Sequence, residues 1–402
     1  MKRATIMLLI VLLVLVTAGL TFVGTAWWMQ ERMDAQLATQ MELDPVNSKL
    51  ERLGNLIETY FIDDYDPEIL TQAAADGAAA YMVEATGDRW SYYISAEEMA
   101  AYEEQLYNSY VGIGVRIQEC EEGERIMSVT KGSPAEEAGV QVGDICISVE
   151  GQSTKELGME GTKNLVRGEE GTFVQMQFLR GDQVLDLTIV RRAIITPVAE
   201  WEMLEDHLAW ISIYNFDYHC AEQTLACIEE ALDQGAEGLL FDVRFNGGGL
   251  KDEMVTVLDA LLPEGDVFRS VDYTGAEEVE RSDAACLEIP MVVLVNEDSY
   301  SAAEFFAAAL QEYGVAQVVG VQTSGKGNFQ YTLELGDGSA VALSCGKYFT
   351  PNGISLTDVG ITPDLEVDLD DADYEALYYG ILEQDDDEQL QAARELLQKI
   401  VG

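Results

Sequence analysis

Histidine is almost absent from this chain. Only His207 and His219 occur among its 402 residues. His207 sits in an acidic turn before a strand, and His219 opens a helical stretch. Neither lies near a convincing nucleophile, so a Ser–His–Asp arrangement has poor support. Positive charge is also scarce, with 23 Lys+Arg against 73 Asp+Glu and a formal net charge of −50. Such a chain repels nucleic acid and anionic lipid, and the acidity otherwise reads as a solvated surface. The six cysteines, Cys120, Cys146, Cys220, Cys227, Cys286 and Cys345, form no CxxC pair and no Cys/His cluster. A zinc site is therefore not expected. The cysteines lie in apolar stretches and suit buried free thiols better than a disulfide framework, although a location outside the cytoplasm leaves pairing open.

Charge is missing altogether from one long stretch. Lys2 and Arg3 precede a segment, Ala4 to Gln30, without a single charged residue. Its length suits a membrane-crossing helix, with Trp27 and Trp28 at the far end where an aromatic belt belongs. The expectation is a single-pass anchor, with the N-terminus inside and the bulk of the chain outside the cytoplasm. A cleaved signal peptide is the competing reading, but its apolar region is usually only about 7–15 residues.

What is present suggests several domains. Residues 1–30 form the tip and anchor. Residues 31–107 read as helical, with Asn47 or Ser48 as a cap in NSKLERLGNLIETYF and a Ser95/Glu98 capping box before a third helix. Residues 108–192 change to short β-like runs with two small helices. Residues 193–370 alternate buried strands with helices, the mark of a layered α/β core. Residues 371–402 read as an acidic helical tail, expected on the surface or in subunit pairing. No internal repeat is evident.

Three segments of the α/β region could carry chemistry. In PMVVLVNEDSYSAAEFFAAAL a buried strand meets a helix at Ser301. A serine there is either an N-cap or a nucleophile beside the free amides of a helix start. In VQTSGKGNFQ, Lys326 lies between two glycines after a strand. Entry into an apolar layer would strip its hydration and lower its pKa from about 10.4. A neutral lysine can take the serine proton, and Gln330 offers an amide oxygen to hold it. The bland alternative is a lysine in a surface turn. In FDVRFNGGGL, Gly247, Gly248 and Gly249 present bare backbone N–H groups. The loop lacks the Lys-Ser/Thr of a P-loop, so nucleotide binding is disfavoured.

Taken in order, GDRWSYYISAEEM, VGIGV, GSPAEEAGVQVGDICISVEG, LVRGEEGT, FDVRFNGGG, VNEDSYSAAE, TSGKGNFQ and YFTPNGISLTDVGITPD resemble the carboxyl-terminal processing, or tail-specific, proteases of serine peptidase family S41. The resemblance covers nearly the whole chain past residue 30. It implies a ClpP/crotonase-like α/β protease core with an inserted β-rich PDZ domain. It also implies Ser301 as nucleophile, Lys326 as general base 25 residues later, and Gln330 as the residue orienting that lysine. The oxyanion hole would combine the N–H of Ala302 with that of Gly248 or Gly249. Gly112, Ile113, Gly114 and Val115 would form the peptide-binding loop of the PDZ domain, and Arg167 would couple it to the protease. Tyr300 before the nucleophile, Ala303 after it and Ser324 ahead of the lysine depart from the usual family pattern and bear on substrate preference.

The implied reaction is amide hydrolysis through an acyl-enzyme, on substrates recognised by their C-terminal ends, without metal or organic cofactor. The expected partners are proteins or peptides with accessible C-termini, the membrane through the anchor, and a second copy in a homodimer. The rival expectation is a silent peptide-binding scaffold at the cell surface. Another α/β enzyme using the glycine loop for a phosphate or thioester is remote.

Overall fold

The computed structural model describes residues 17, 21–29, 31–32 and 44–402. Most of the expected anchor lies outside the described residues. Among those described, no helix is long and apolar enough to cross a membrane. The chain divides into two units, Met1–Met82 and Val83–Gly402. In the first, helix α1 (Pro45–Tyr60) is capped by Asp44, whose Oδ1 accepts the Asn47 N–H at 3.2 Å. The cap is thus Asp44 rather than Asn47 or Ser48, because Pro45 fits the first helical turn where no N–H is needed. Helix α2 spans Pro67–Glu84.

The second unit opens with a departure from the all-helical expectation for residues 31–107. Strand β1 (Tyr92–Ile94) precedes helix α3 (Met99–Leu106). The Ser95–Glu98 capping contacts do form, with Glu98 Oε2 accepting the Ser95 N–H at 3.0 Å, although the helix proper starts after them. The β-rich module follows. Strands β2 (Ser109–Gly112) and β9 (Arg192–Ile195) form a two-stranded stem, pairing antiparallel. Between them lie β3 (Val115–Cys120), β4 (Gly123–Val129), the short helix α4 (Pro134–Glu137), β5 (Ile145–Val149), β6 (Gln152–Ser153), helix α5 (Thr154–Val166), β7 (Phe173–Arg180) and β8 (Gln183–Val190). The sheet order is β3-β4-β5-β7-β8, which leaves β3 at an open edge. Phe178, Met176, Val174 and Ile189 alternate inward and fill this module's own core.

The larger core is built on β10 (Ala199–Met203), β11 (Leu208–Ile213), β12 (Gly238–Asp242), β15 (Met291–Val295), β16 (Ala316–Gly320) and β19 (Leu365–Glu366), in that spatial order. All neighbours are parallel except β10 with β11. The central strands are buried on both faces, as parallel sheets require. Phe241, Val293 and Val318 face helices α6 (Cys220–Asp233), α7 (Lys251–Leu261) and α8 (Ala302–Glu312). Leu240, Val292, Leu294 and Val319 face the opposite way. A second sheet orders β1, β18 (Ala340–Phe349), β13 (Gly265–Asp272) and β14 (Glu277–Ser282), with β17 (Asn328–Glu334) also pairing with β18. Strand β1 therefore belongs to this second sheet, with Tyr93 opposite Val341.

The acidic tail corrects its surface reading. After helix α9 (Asp371–Tyr378), helix α10 (Glu388–Val401) lays Leu390, Ala393 and Leu397 against the second face of the parallel sheet. Spacing of three and four residues puts them on one stripe. That apolar stripe is used inside the fold and is not left for pairing.

Candidate active site and peptide groove

Strand β15 delivers the polar turn Asn296–Tyr300 to the edge of the core. Ser299 Oγ donates to the Val243 carbonyl at 2.7 Å, and Asn296 Oδ1 accepts the Phe245 N–H at 2.9 Å. The Tyr300 N–H meets the Asn246 carbonyl at 3.1 Å. The turn is thereby fixed to the glycine loop. Ser301 then adopts φ +58° and ψ −125°, a conformation non-glycine residues rarely take. It occupies the N-cap position of α8, where the Glu304 side chain takes the Ser301 N–H in a capping-box arrangement and the Glu304 N–H also reaches the Ser301 carbonyl at 2.9 Å. Ser301 is thus the N-cap residue, as the sequence allowed.

Glu304, the third residue of α8, is fully buried. One oxygen, Oε2, accepts the Ser301 N–H at 2.9 Å and the Lys326 N–H at 2.8 Å. The other, Oε1, accepts the Thr323 hydroxyl at 2.5 Å and the Gly325 N–H at 2.8 Å. One carboxylate therefore ties the backbones of Ser301 and Lys326 together across the chain. Sequence reading missed it, although Glu three residues after a helix-start serine is a visible signal.

The glycine loop lies against this turn. A side chain at Gly248 would come within 2.7 Å of Ser301 Cβ and 2.9 Å of the Ala302 nitrogen, so only glycine fits there. At Gly249 a Cβ would collide with the Phe216 backbone. The Gly248 N–H already donates to Asn246 Oδ1 at 2.8 Å. The Ala302 and Gly249 N–H groups take no partner among the described residues. Of the two glycines expected at an oxyanion hole, Gly249 is the one whose amide is free. The loop is anchored from below by Arg244, which pairs with Asp242 (Nη2–Oδ2, 2.6 Å) and Asp387 (Nη2–Oδ2, 2.9 Å) in the buried layer. Those carboxylates hold the guanidinium pKa above its usual value despite burial.

Lys326 is half-buried, and loss of hydration lowers its pKa, against the opposing pull of Asp88, Glu304 and Asp217. This matches the direction a general base needs. Its Nζ takes no hydrogen bond or ion pair among the described residues. It lies over the rings of Trp90 at 5.0 Å and Tyr300 at 5.6 Å. Gln330, expected to orient the lysine, instead donates to Ser344 Oγ at 3.2 Å and the Asn328 carbonyl at 3.3 Å. Asp217, beside Gly249, is pushed up to about 7 by burial and by Glu253, with Lys326 opposing.

In the β-rich module a groove of about 330 Å³ runs between the open edge of β3 and helix α5. Gly112, Ile113, Gly114, Val115 and Arg167, the residues expected from the sequence, all line it. An open strand edge facing a helix is the geometry in which a peptide adds as a further strand. Arg167 ends α5, pairs with Glu104 of α3 (Nη1–Oε2, 2.8 Å) and lies over the Tyr110 ring at 5.4 Å. All six cysteines are free thiols; Cys146, Cys220 and Cys227 are buried as expected, whereas Cys120, Cys286 and Cys345 are only half-buried.

Residues 207–367 match the model of peptidase family S41, and residues 125–180 match a PDZ domain. The chain is 32% identical over 375 residues to the carboxy-terminal processing protease CtpA of Bacillus subtilis (strain 168), covering 92% of this chain and 79% of that protein. It is 30% identical over 364 residues to a "Probable CtpA-like serine protease" of Staphylococcus epidermidis (strain ATCC 12228 / FDA PCI 1200), covering 90% and 72% respectively. Among solved structures, the photosystem II D1 C-terminal processing protease aligns at 26% identity and a TM-score of 0.45, over 78% of this chain and 86% of that one.

Proposed function

Because the chain belongs to peptidase family S41, as a serine-type endopeptidase of the carboxy-terminal processing kind with a PDZ domain, we propose that it cuts proteins through a Ser301–Lys326 dyad. The observation that carries this reading is the meeting of both backbones on one oxygen of Glu304. Neutral Lys326 takes the proton from Ser301 Oγ as the oxygen attacks the scissile carbonyl. The amides of Ala302 and Gly249 hold the developing oxyanion. The lysine ammonium then protonates the leaving amine, which departs as the acyl-enzyme forms. Water attacks the ester with Lys326 again accepting a proton, and that proton returns to Ser301 Oγ as the carboxylate product leaves. Gln330 steadies the amine once a substrate has drawn it toward Ser301.

The groove along β3 would bind the substrate's C-terminal residues as an added strand, with Arg167 relaying occupancy toward the protease. The uncharged stretch behind Lys2 and Arg3 would hold the catalytic part outside the cytoplasm. The test is cleavage of an unstructured protein with an apolar C-terminus by the purified chain. Ser301→Ala and Lys326→Ala should each abolish it, and blocking the substrate's C-terminal carboxylate should raise KM. Full activity in either variant overturns the dyad.

A further inference from the structure

The segment Gly87–Ser91 precedes the β-rich module and is more than 200 residues from the lysine in sequence. It nevertheless lies on the lysine loop. Arg89 Nη2 donates to the Ser324 carbonyl at 3.1 Å, two residues before Lys326. Strand β1, directly after the segment, is locked into the protease sheet against β18. Ser91 Oγ accepts the Ser344 N–H at 3.0 Å and donates to Asp88 Oδ2 at 2.5 Å. The Asp88 carboxylate also takes the Trp90 N–H at 3.2 Å. The same Ser344 receives the Gln330 amide through its hydroxyl. This mesh fixes the Trp90 ring beside Tyr300, with centroids 5.5 Å apart and planes at 35°, and Lys326 Nζ lies over both rings.

We propose that Asp88 and Trp90 are positioning residues for the general base: Trp90 with Tyr300 forms an aromatic seat for the protonated Lys326 side chain, and Asp88, through its bonds to the Trp90 N–H and the Ser91 hydroxyl, holds that seat and adds a negative charge. The proposal rests on the Ser301–Lys326 reading. Aromatic faces attract an ammonium and not a neutral amine, and a carboxylate does the same. Both therefore oppose the loss of hydration that favours the neutral base. The carboxylates that favour the charged form of Lys326 are Asp88 ahead of β1, Glu304 on α8 and Asp217 after β11. Arg89 also lies over the Trp90 ring, at 4.4 Å. The seat thus tunes the pH at which the base becomes available.

Removing a group that favours the ammonium lowers the lysine pKa, so the acidic limb of the kcat/KM profile moves to lower pH. Trp90→Leu keeps apolar bulk and removes the ring, and should move the limb down by about 0.5–1.5 pH units. Trp90→Phe should move it less, and Asp88→Asn should move it in the same direction. A second readout needs no turnover. In the Ser301→Ala protein, the pH dependence of Lys326 acylation by an amine-reactive ester, followed by mass spectrometry, should shift equally with each change. If Lys326→Ala keeps activity, the dyad reading itself fails. If Lys326→Ala is inactive while both the pH limb and the labelling curve stay in place for Trp90→Leu and Asp88→Asn, the seat is refuted. Should Trp90→Leu lose its fold by circular dichroism, Asp88→Asn and Trp90→Phe decide in the same two assays.

Discussion

Replacing Glu304 by glutamine alters one atom and tests whether this carboxylate builds the site. Four donors converge on it: the N–H groups of Ser301, Gly325 and Lys326, and the Thr323 hydroxyl. Glutamine keeps one acceptor oxygen and introduces an NH2 group. Turned toward Ser301 and Lys326, that NH2 strands two backbone donors. Turned toward Thr323 and Gly325, it strands one, since only the hydroxyl can rotate. A buried donor without a partner costs about 1–3 kcal/mol, and hydrogen bonds to a charged acceptor are stronger than those to an amide. The expected loss is therefore about 2–5 kcal/mol, a large share of the roughly 5–15 kcal/mol that holds a typical domain together. The damage falls on the two backbones that carry the proposed nucleophile and the proposed base. A displacement of about 1 Å there lowers kcat on the order of 10²-fold. KM should change little, because Glu304 is sealed from substrate. Urea melts and steady-state kinetics on the parent and Glu304→Gln read both quantities. A variant as stable as the parent, with kcat within a few-fold, would refute the assignment of this carboxylate as the link between Ser301 and Lys326.

Two further outcomes follow from buried charge. Arg244→Met leaves Asp242 and Asp387 buried without their cation, and should destabilise the protein by about 3–5 kcal/mol. Adding Asp242→Asn and Asp387→Asn should recover most of that loss in urea melts, and a single-variant cost below about 1 kcal/mol would contradict the ion-pair account. Asp217 has a folded-state pKa raised from 3.8 to about 7. Its contribution to stability is therefore fully present below pH 3.8 and is lost as pH rises through about 7. Asp217→Asn should be more stable than the parent at pH 8, on the order of 2–4 kcal/mol, with the gap closing toward pH 4. Equal melting temperatures at pH 8 would count against it.

The sequence was most legible where local pattern and core demand coincide. The parallel strands around Phe241, Val293 and Val318 are continuous apolar runs because helices cover both of their faces. Ser301, Lys326 and the glycine loop stand at the ends of such strands, where a polar or glycine-rich turn after an apolar run is conspicuous. The second sheet was far less visible. Residues of β14 and β17 are largely half-exposed or exposed, so no apolar run marks them. Strand β1, three residues long, is a strand only because β18 lies beside it.

The sequence alone determined the central parallel strands and their helices, the strand-to-helix turn at Ser301 and the groove loop at Gly112–Val115. Each follows from hydrophobic period, turn chemistry or an ordered set of motifs within a few dozen residues. Tertiary structure decided the rest. It alone placed Trp90 over Lys326, tied Gln330 to Ser344, took up the Gly248 amide with Asn246, and turned the acidic tail into the second cover of the sheet. The physical reason is the same in each case. The energy of a cation over a ring, a buried carboxylate or a packed helix face comes from groups far apart in the chain, and only closure of the fold brings them into contact.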